Sequence, residues 1–281
     1  MTGSWTCGHR KNILKAIGEI LMLALCSVII LPFYYLVVST LKTQQEVALN
    51  ALALPQKIYL DNFVNAFHNM EFAHAFLNTL LITGCTLVIV VVFGSMSAYA
   101  INRRRHKFYK GIMIYFLLGF MVPVQTTMVP LFILMQRLGL INRLYGIIIL
   151  SSGSSTFAFF LYQGFMSTVP VELDESAHID GASVFRTYWM IIFPLLKPIT
   201  VTMAIFHVMG TWNDFLTPFL FLSSRENSTL MLEMYRGVGE FVNDWPTMMS
   251  SMIIIIAPLV IFYIFAQRFI IEGLTSGAVK G

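Results

Sequence analysis

Residues 172–194 read ELDESAHIDGASVFRTYWMIIFP and hold the most informative polar side chains of the chain. Glu172, Asp174 and Glu175 crowd one turn, Ser176, Ala177, Asp180 and Gly181 follow, and Ile191 and Pro194 close the run. This grouping offers carboxylates to a basic partner. A second set comes from an otherwise apolar stretch. Thr200, Met203, His207, Gly210, Asp214 and Thr217 recur at intervals of three and four, so a continuous helix would carry them on one stripe with Asn213 beside it. Hydroxyl, imidazole and carboxylate groups so placed exchange hydrogen bonds with a polar solute or with a neighbouring helix.

Several chemistries are missing from the sequence. There is no G-x-x-x-x-G-K-[ST] phosphate loop, and the terminal GAVKG has neither its spacing nor a flanking strand. No H-E-x-x-H or paired-aspartate motif points to a membrane enzyme. Cys7, Cys26 and Cys85 have no metal spacing and imply no disulfide framework. No cofactor or metal is expected, and the chain is read as a transport subunit, not an enzyme. The net charge of +4 is assigned to membrane orientation and not to nucleic acid.

The elements that must position these residues are membrane spans. The 281 residues are 57% hydrophobic and only 11% charged, against about 25% charged in ordinary soluble domains. Six stretches reach the length a bilayer requires, near 13–38, 74–101, 111–136, 144–165, 195–222 and 249–271. Such segments satisfy their backbones in hydrocarbon as helices, and no ten-residue alternation speaks for a β-barrel. The expected fold is all-α and polytopic. It has an N-terminus at 1–12, a six-helix membrane domain at 13–272 with a loop at 167–194, and a tail at 273–281. The first apolar run is too long for a signal-peptide core and reads as an uncleaved anchor.

Placing both termini inside puts twelve of the 18 Lys and Arg residues on the inner side, led by the RRRHK run at 103–107. That run is read as a topology anchor in preference to a lipid- or ligand-binding patch. The 167–194 loop then lies in the cytoplasm. Its acidic first turn complements a helix macrodipole, Asp180–Gly181 signals a turn, and a second helical piece with Val184, Phe185, Tyr188 and Trp189 runs to Pro194. An acidic first turn with small residues suits insertion into a protein groove better than rest on a bilayer surface.

The spacing Glu175-x-Ala177, three residues, Gly181, nine residues, Ile191-x-x-Pro194 resembles the EAA signature of ABC-importer permeases. Ser176 stands where alanine is usual, and Phe193 where leucine is usual. TWNDFLTPFLFLS at 211–223, RLGLINRLYGIIIL at 137–150, NTLLIT at 78–83 and FIIEGLTSGAVKG at 269–281 are similar to carbohydrate permeases of the maltose-permease type. The resemblance implies a MetI-like six-helix permease half in a bacterial inner membrane. It implies a second permease subunit, two copies of an ATPase subunit and an extracytoplasmic solute-binding protein as partners. It assigns Glu175, Ser176, Ala177, Asp180, Gly181, Ile191 and Pro194 to ATPase coupling. It also implies uptake of a mono- or oligosaccharide; glycerol 3-phosphate or a related polyol phosphate is the alternative.

An ion-coupled transporter would need more charge within the spans than Glu19, His207 and Asp214. His207, Gly210, Asn213, Asp214 and Thr217 are candidate pathway-lining residues, with packing against the partner subunit as the competing reading. Gly94, Ser95, Ser97 and Ala98 form a small-residue face for close packing. The run Ser151–Thr156 interrupts the fourth span as a hydrated stretch or a packing seam. Pro123 and Pro130 are expected to kink the third. In the first outer loop, Asp61, Asn62 and Asn65 near Phe63 and Phe67 suggest a capped re-entry. In the second, Glu226, Glu233, Glu240 and Asp244 precede Trp245 and Pro246, which suit a headgroup belt or a soluble partner.

Overall fold

The structure is a computed structural model. It describes the backbone of residues 5–104, 106–240 and 244–278, and the side chains of the same residues except 5–14, 238, 240 and 270–278. Every regular element among them is helical. The α-helices are α1 (Trp5–Thr40), α2 (Gln44–Leu49), α3 (Asp61–Asn69), α4 (Phe72–Asn102), α5 (Lys107–Met121), α6 (Val124–Arg137), α7 (Leu144–Ser151) and α8 (Ser155–Met166). They continue with α9 (Glu172–Ile179), α10 (Val184–Thr187), α11 (Phe193–Leu195), α12 (Lys197–Trp212), α13 (Leu216–Phe221), α14 (Leu230–Glu240) and α15 (Trp245–Ala278).

Four helical segments are long and apolar enough to cross a membrane: Lys15–Thr40, Phe72–Asn102, Leu144–Met166 and Trp245–Phe269. Two bent pairs bring the number to six if each is one span. Contacts divide the chain into two units, Met1–Met70 with Arg236–Ile254, and Glu71–Tyr235 with Ile255–Gly281.

In the first unit, residues 15–34 of α1 leave their apolar side chains exposed, a surface suited to hydrocarbon. A polar knot ends it. Lys42 Nζ, only 1% exposed, donates to the carbonyls of Asn50 (2.9 Å) and Ala51 (3.3 Å). Asn62 Nδ2 donates to the carbonyls of Thr40 and Lys42, at 2.8 Å each. Thr43 and Glu46 form a reciprocal capping box at the start of α2. Two short helices thus occupy the region expected as a capped re-entry, with Asn62 turned inward and Asp61 opening α3.

In the second unit, α4 packs against α8 at close range. A Cβ on Gly94 would lie 2.7 Å from Ala158 Cβ and 3.3 Å from Phe159 N. Ala98 and Ala158 are fully buried beside Phe159, Tyr162 and Tyr188. Small residues let backbones approach where lipid gives no hydrophobic drive to association. Gly94 and Ala98 therefore behave as expected, while Ser97 returns its hydroxyl to the Phe93 carbonyl (2.6 Å) on an exposed face.

Three spans depart from the expected outlines. The third turns through 96° between α5 and α6. Val122 precedes Pro123 and is extended (φ −76°, ψ 120°), as the ring demands; Pro130 lies inside α6 without breaking it. The fifth is bent by 76° near Leu196, and its long helix stops at Trp212, well short of residue 222. The sixth remains helical as far as Ala278, into the segment expected as a tail; residues 279–281 lie outside the described residues. The first four residues of the expected N-terminal segment and Arg105 of the basic run lie outside them too. The fourth span, α7 and α8, is joined by a 3₁₀ turn at Ser152–Ser154.

Candidate functional site

The acidic helix α9 is closed by a Schellman arrangement. Gly181 N–H donates to the His178 carbonyl (3.0 Å) and Ala182 N–H to the Ala177 carbonyl (2.9 Å), with Gly181 at φ +77°. Glycine takes that conformation without a Cβ clash. Ser183 Oγ then caps α10 by accepting from Arg186 N (3.3 Å). A π-helical turn at Tyr188–Ile192 precedes Pro194, where a widened turn relieves the ring's conflict with the preceding carbonyls.

These local choices sort the motif residues. Ala177 is buried against the bundle, whereas Glu175, Ser176, Asp180 and Gly181 are exposed. Glu175 pairs with no basic side chain among the described residues. Ile179 (85% exposed), Val184 and Phe185 add apolar surface at the same tip. The stripe expected for the second helical piece splits, because Tyr188 is buried while Val184 and Phe185 face out. Ile191 is half-buried and Pro194 exposed.

Asp174 differs from its acidic neighbours. Tyr99 OH donates to its Oδ1 (2.5 Å), and Arg103 Nε lies 2.9 Å from its Oδ2. The second contact is a charge pair and not an aligned hydrogen bond. Arg103 also donates to the carbonyls of Val169 (3.1 Å) and Pro170 (3.4 Å). A cavity of about 310 Å³ adjoins the pair. Sequence reasoning gave Arg103 only a topological role. Its partner lies far along the chain, and the sole signal was a polar residue at the inner end of a span.

A larger, open cavity of about 850 Å³ is bordered by α4, α5, α6, the fourth span, α12, the break beyond Trp212 and the start of α13. Its wall includes Thr127, Ser151, Ser154, Thr156, His207, Gly210, Thr211, Asp214 and Thr217, interleaved with Phe120, Phe157 and Phe206. Among the described residues no Lys or Arg lines it. The bends at Pro123 and Ser152–Ser154 both open onto it, and Ser152 and Ser154 return their hydroxyls to preceding carbonyls, a habit that bends helices. The serine run therefore borders a cavity.

Within this wall His207 is 8% exposed. Its Nε2 lies 2.8 Å from Thr86 Oγ1 and 3.4 Å from Thr211 Oγ1, and its Nδ1 lies 3.5 Å from Ser154 Oγ. The expected continuous stripe fails at both ends. Thr200 turns to protein, accepting from Tyr162 OH (3.0 Å). Asp214 and Thr217 reach the cavity from the break after Trp212, where Asp214 Oδ1 accepts from Thr217 N (3.1 Å). Asn213 is exposed, lies outside the wall and donates to the Met209 carbonyl of its own helix (2.8 Å). Sequence reasoning missed Thr86, Thr127 and the cavity-facing phenylalanines, which no spacing distinguishes from packing residues.

In the segment expected as the second outer loop, Glu233 is buried and paired with Arg225 (3.2 Å), while Asp244 caps α15 through Thr247 N (3.3 Å). Trp245 remains 45% exposed. The Glu240 side chain lies outside the described residues.

Comparison with known proteins places this arrangement. Residues 90–275 match the family described as "Binding-protein-dependent transport system inner membrane component". A probable starch degradation products transport system permease, AmyC of Thermoanaerobacterium thermosulfurigenes, is 37% identical, with 96% of this chain and 97% of the relative aligned. The melibiose/raffinose/stachyose import permease MelC of Bacillus subtilis is 34% identical over 89% and 91%. A chain from the crystal structure of a bacterial ABC transporter that imports the acidic polysaccharide alginate has the same fold. The TM-score is 0.82 at 20% identity, covering 92% of this chain and 97% of that one. The protein is thus a multi-pass membrane permease, and it belongs to the binding-protein-dependent transport system inner membrane component family.

Proposed function

We propose that this chain forms half of the transmembrane pathway of a bacterial ABC importer for mono- or oligosaccharides. In this reading both termini and the 167–194 loop are cytoplasmic. A different permease subunit completes the pathway, two copies of a separate ATPase subunit supply the energy, and an extracytoplasmic solute-binding protein delivers the sugar. One observation carries the coupling role. A short helix, rigidly capped at Gly181, holds Glu175 and Ile179 outward while its Ala177 side is packed. A carboxylate beside exposed apolar surface suits a groove with a basic lining.

The substrate class draws support from two directions. The relatives named for their cargo are permeases for starch degradation products and for melibiose, raffinose and stachyose. The large cavity is lined by hydroxyls, aromatic rings, His207 and Asp214 without a cationic side chain, which suits a neutral sugar better than a polyol phosphate. An ion relay gains no support from a wall with one carboxylate and one imidazole.

Charge reversal at Glu175 (Glu175→Lys) tests the reading. Affinity capture of the permease pair should lose its ATPase, and uptake of labelled oligosaccharide should fall at least about tenfold. Undiminished assembly and uptake would refute the coupling assignment.

A further inference from the structure

The second span meets the loop along one line. Ser95 and Tyr99 of α4 and Arg103, the residue that caps its C-terminus, follow at four-residue steps and so stack on one face. Ser95 Oγ lies 2.6 Å from the Tyr188 hydroxyl, in the π turn. Tyr99 and Arg103 both hold Asp174, on α9, and Arg103 also holds the carbonyls of Val169 and Pro170, on the approach to α9. One stripe therefore grips the loop before, on and after its acidic helix. None of these contacts uses Glu175 or Gly181.

The middle of the same helix, about three to four turns from Arg103, reaches the large cavity. Val90 lines the wall, and Thr86 touches His207 at 2.8 Å. From Phe72 to Asn102 the helix is unbroken. The loop's own covalent routes to the cavity are α8, which runs back to Thr156 and Phe157 at the wall, and α11 with α12, which turn by 76° on the way. A straight helix transmits displacement along its axis, and a bend absorbs it.

We propose that Ser95, Tyr99 and Arg103 are positioning residues that clamp the 167–194 loop to the second span. The clamp makes loop and span one lever, delivering motion of α9 to the Thr86–His207 contact at the cavity wall. This rests on reading the loop as the element that takes force from the ATPase. A lever works only if its joint is stiffer than the part it drives, and α9 is poorly held without the clamp. Only Ala177 of its eight residues is buried, and a helix so short has little stability of its own. Arg103 suits the joint because its planar guanidinium fixes direction as well as charge.

The test uses the complete transporter in proteoliposomes, measuring two quantities: ATPase retained with the permease pair, and solute imported per ATP hydrolysed. Arg103→Glu and Asp174→Arg should each keep the ATPase bound yet lower solute per ATP by about tenfold, and combining them should restore at least about a third of it. Full solute per ATP in the single variants, or no recovery in the double, overturns the clamp. If the charge variants do not assemble, Tyr99→Phe keeps the ring and removes only the hydroxyl on Asp174. It should lower solute per ATP about threefold, and an unchanged value overturns the proposal. Glu175→Lys in the same assay reads the underlying assignment separately. If that variant keeps both its ATPase and its transport, the loop is not the coupling element, whatever the clamp variants do.

Discussion

The loop at 172–194 and the large cavity both depend on interruptions of helix, yet they are built by opposite means. The loop is a product of local grammar. Gly181 ends α9, Ser183 starts α10, Pro194 follows a π turn, and each acts on neighbours within a few positions. The cavity is a product of distance. His207 draws on Thr86 and Ser154 from other helices, and Asp214 enters it only because α12 ends early. Local grammar yields an element whose form is set by its near neighbours; assembly from distant breaks yields a space whose shape depends on how its helices are set. The contrast also separates their chemistry, since the loop tip presents carboxylates outward while the cavity presents hydroxyls and rings inward.

Gly94→Leu should strike both regions at once and give the largest effect. Its Cβ alone would lie 2.7 Å from Ala158 Cβ, and the side chain would force α4 from α8, at a cost of about 1–3 kcal/mol. Thermal unfolding of the purified complex in detergent should shift down, and both ATPase retention and uptake should drop. Gly84→Ala, where a Cβ meets nothing within 4 Å, is the matched control and should leave all three unchanged.

Gly181→Val should separate the regions. A β-branched residue at φ +77° costs about 1–2 kcal/mol, confined to the turn that aims α9. ATPase retention should weaken by about tenfold while thermal unfolding moves little. Gly181→Asn should be milder, because asparagine tolerates the left-handed region. Equal losses in the two variants would mean that the turn's conformation is not what matters there.

These variants also mark what was legible in the sequence. The loop's local form could be read nearly complete, because Asp180–Gly181 and Pro194 carry their meaning locally. Its attachment could not, since Tyr99 and Asp174 stand 75 positions apart and Arg103 looked like one more basic residue at the end of a span. In the cavity the residue types were legible and their geometry was not. Pro123 announced a kink but not a 96° turn. Periodicity continued the fifth span through Asp214 and Thr217, but periodicity does not report that Asp214 caps a new start beyond Trp212. Thr200 kept the spacing and lost the role, because Tyr162 occupies its hydroxyl.

His207→Ala should perturb the cavity alone. It removes an imidazole whose contacts reach two other segments, and each such interhelical hydrogen bond is worth about 1 kcal/mol in membrane. Uptake should fall about fivefold with the ATPase fully retained. Loss of ATPase together with uptake would show that cavity and loop are not separable in the way their construction implies.

The smallest effect is expected at Asn213, and there the comparison sharpens most. Its neighbour Asp214 faces the cavity and holds Thr217 N, so Asp214→Ala should cost about 1 kcal/mol of local order and also remove the only carboxylate among the described residues of the wall. Asn213 has the same standing in the sequence and none of that geometry. Its side-chain amide serves the Met209 carbonyl, which also accepts the backbone N–H of Asn213 at 3.2 Å, so the alanine variant strands no buried group. Asn213→Ala should leave uptake within about twofold of wild type and stability within about 0.5 kcal/mol. If labelled-sugar uptake instead fell as far as in Asp214→Ala, the exposed side of α12 would have to take part in the pathway of the assembled transporter. The boundary of the cavity would then lie between subunits and not within this chain.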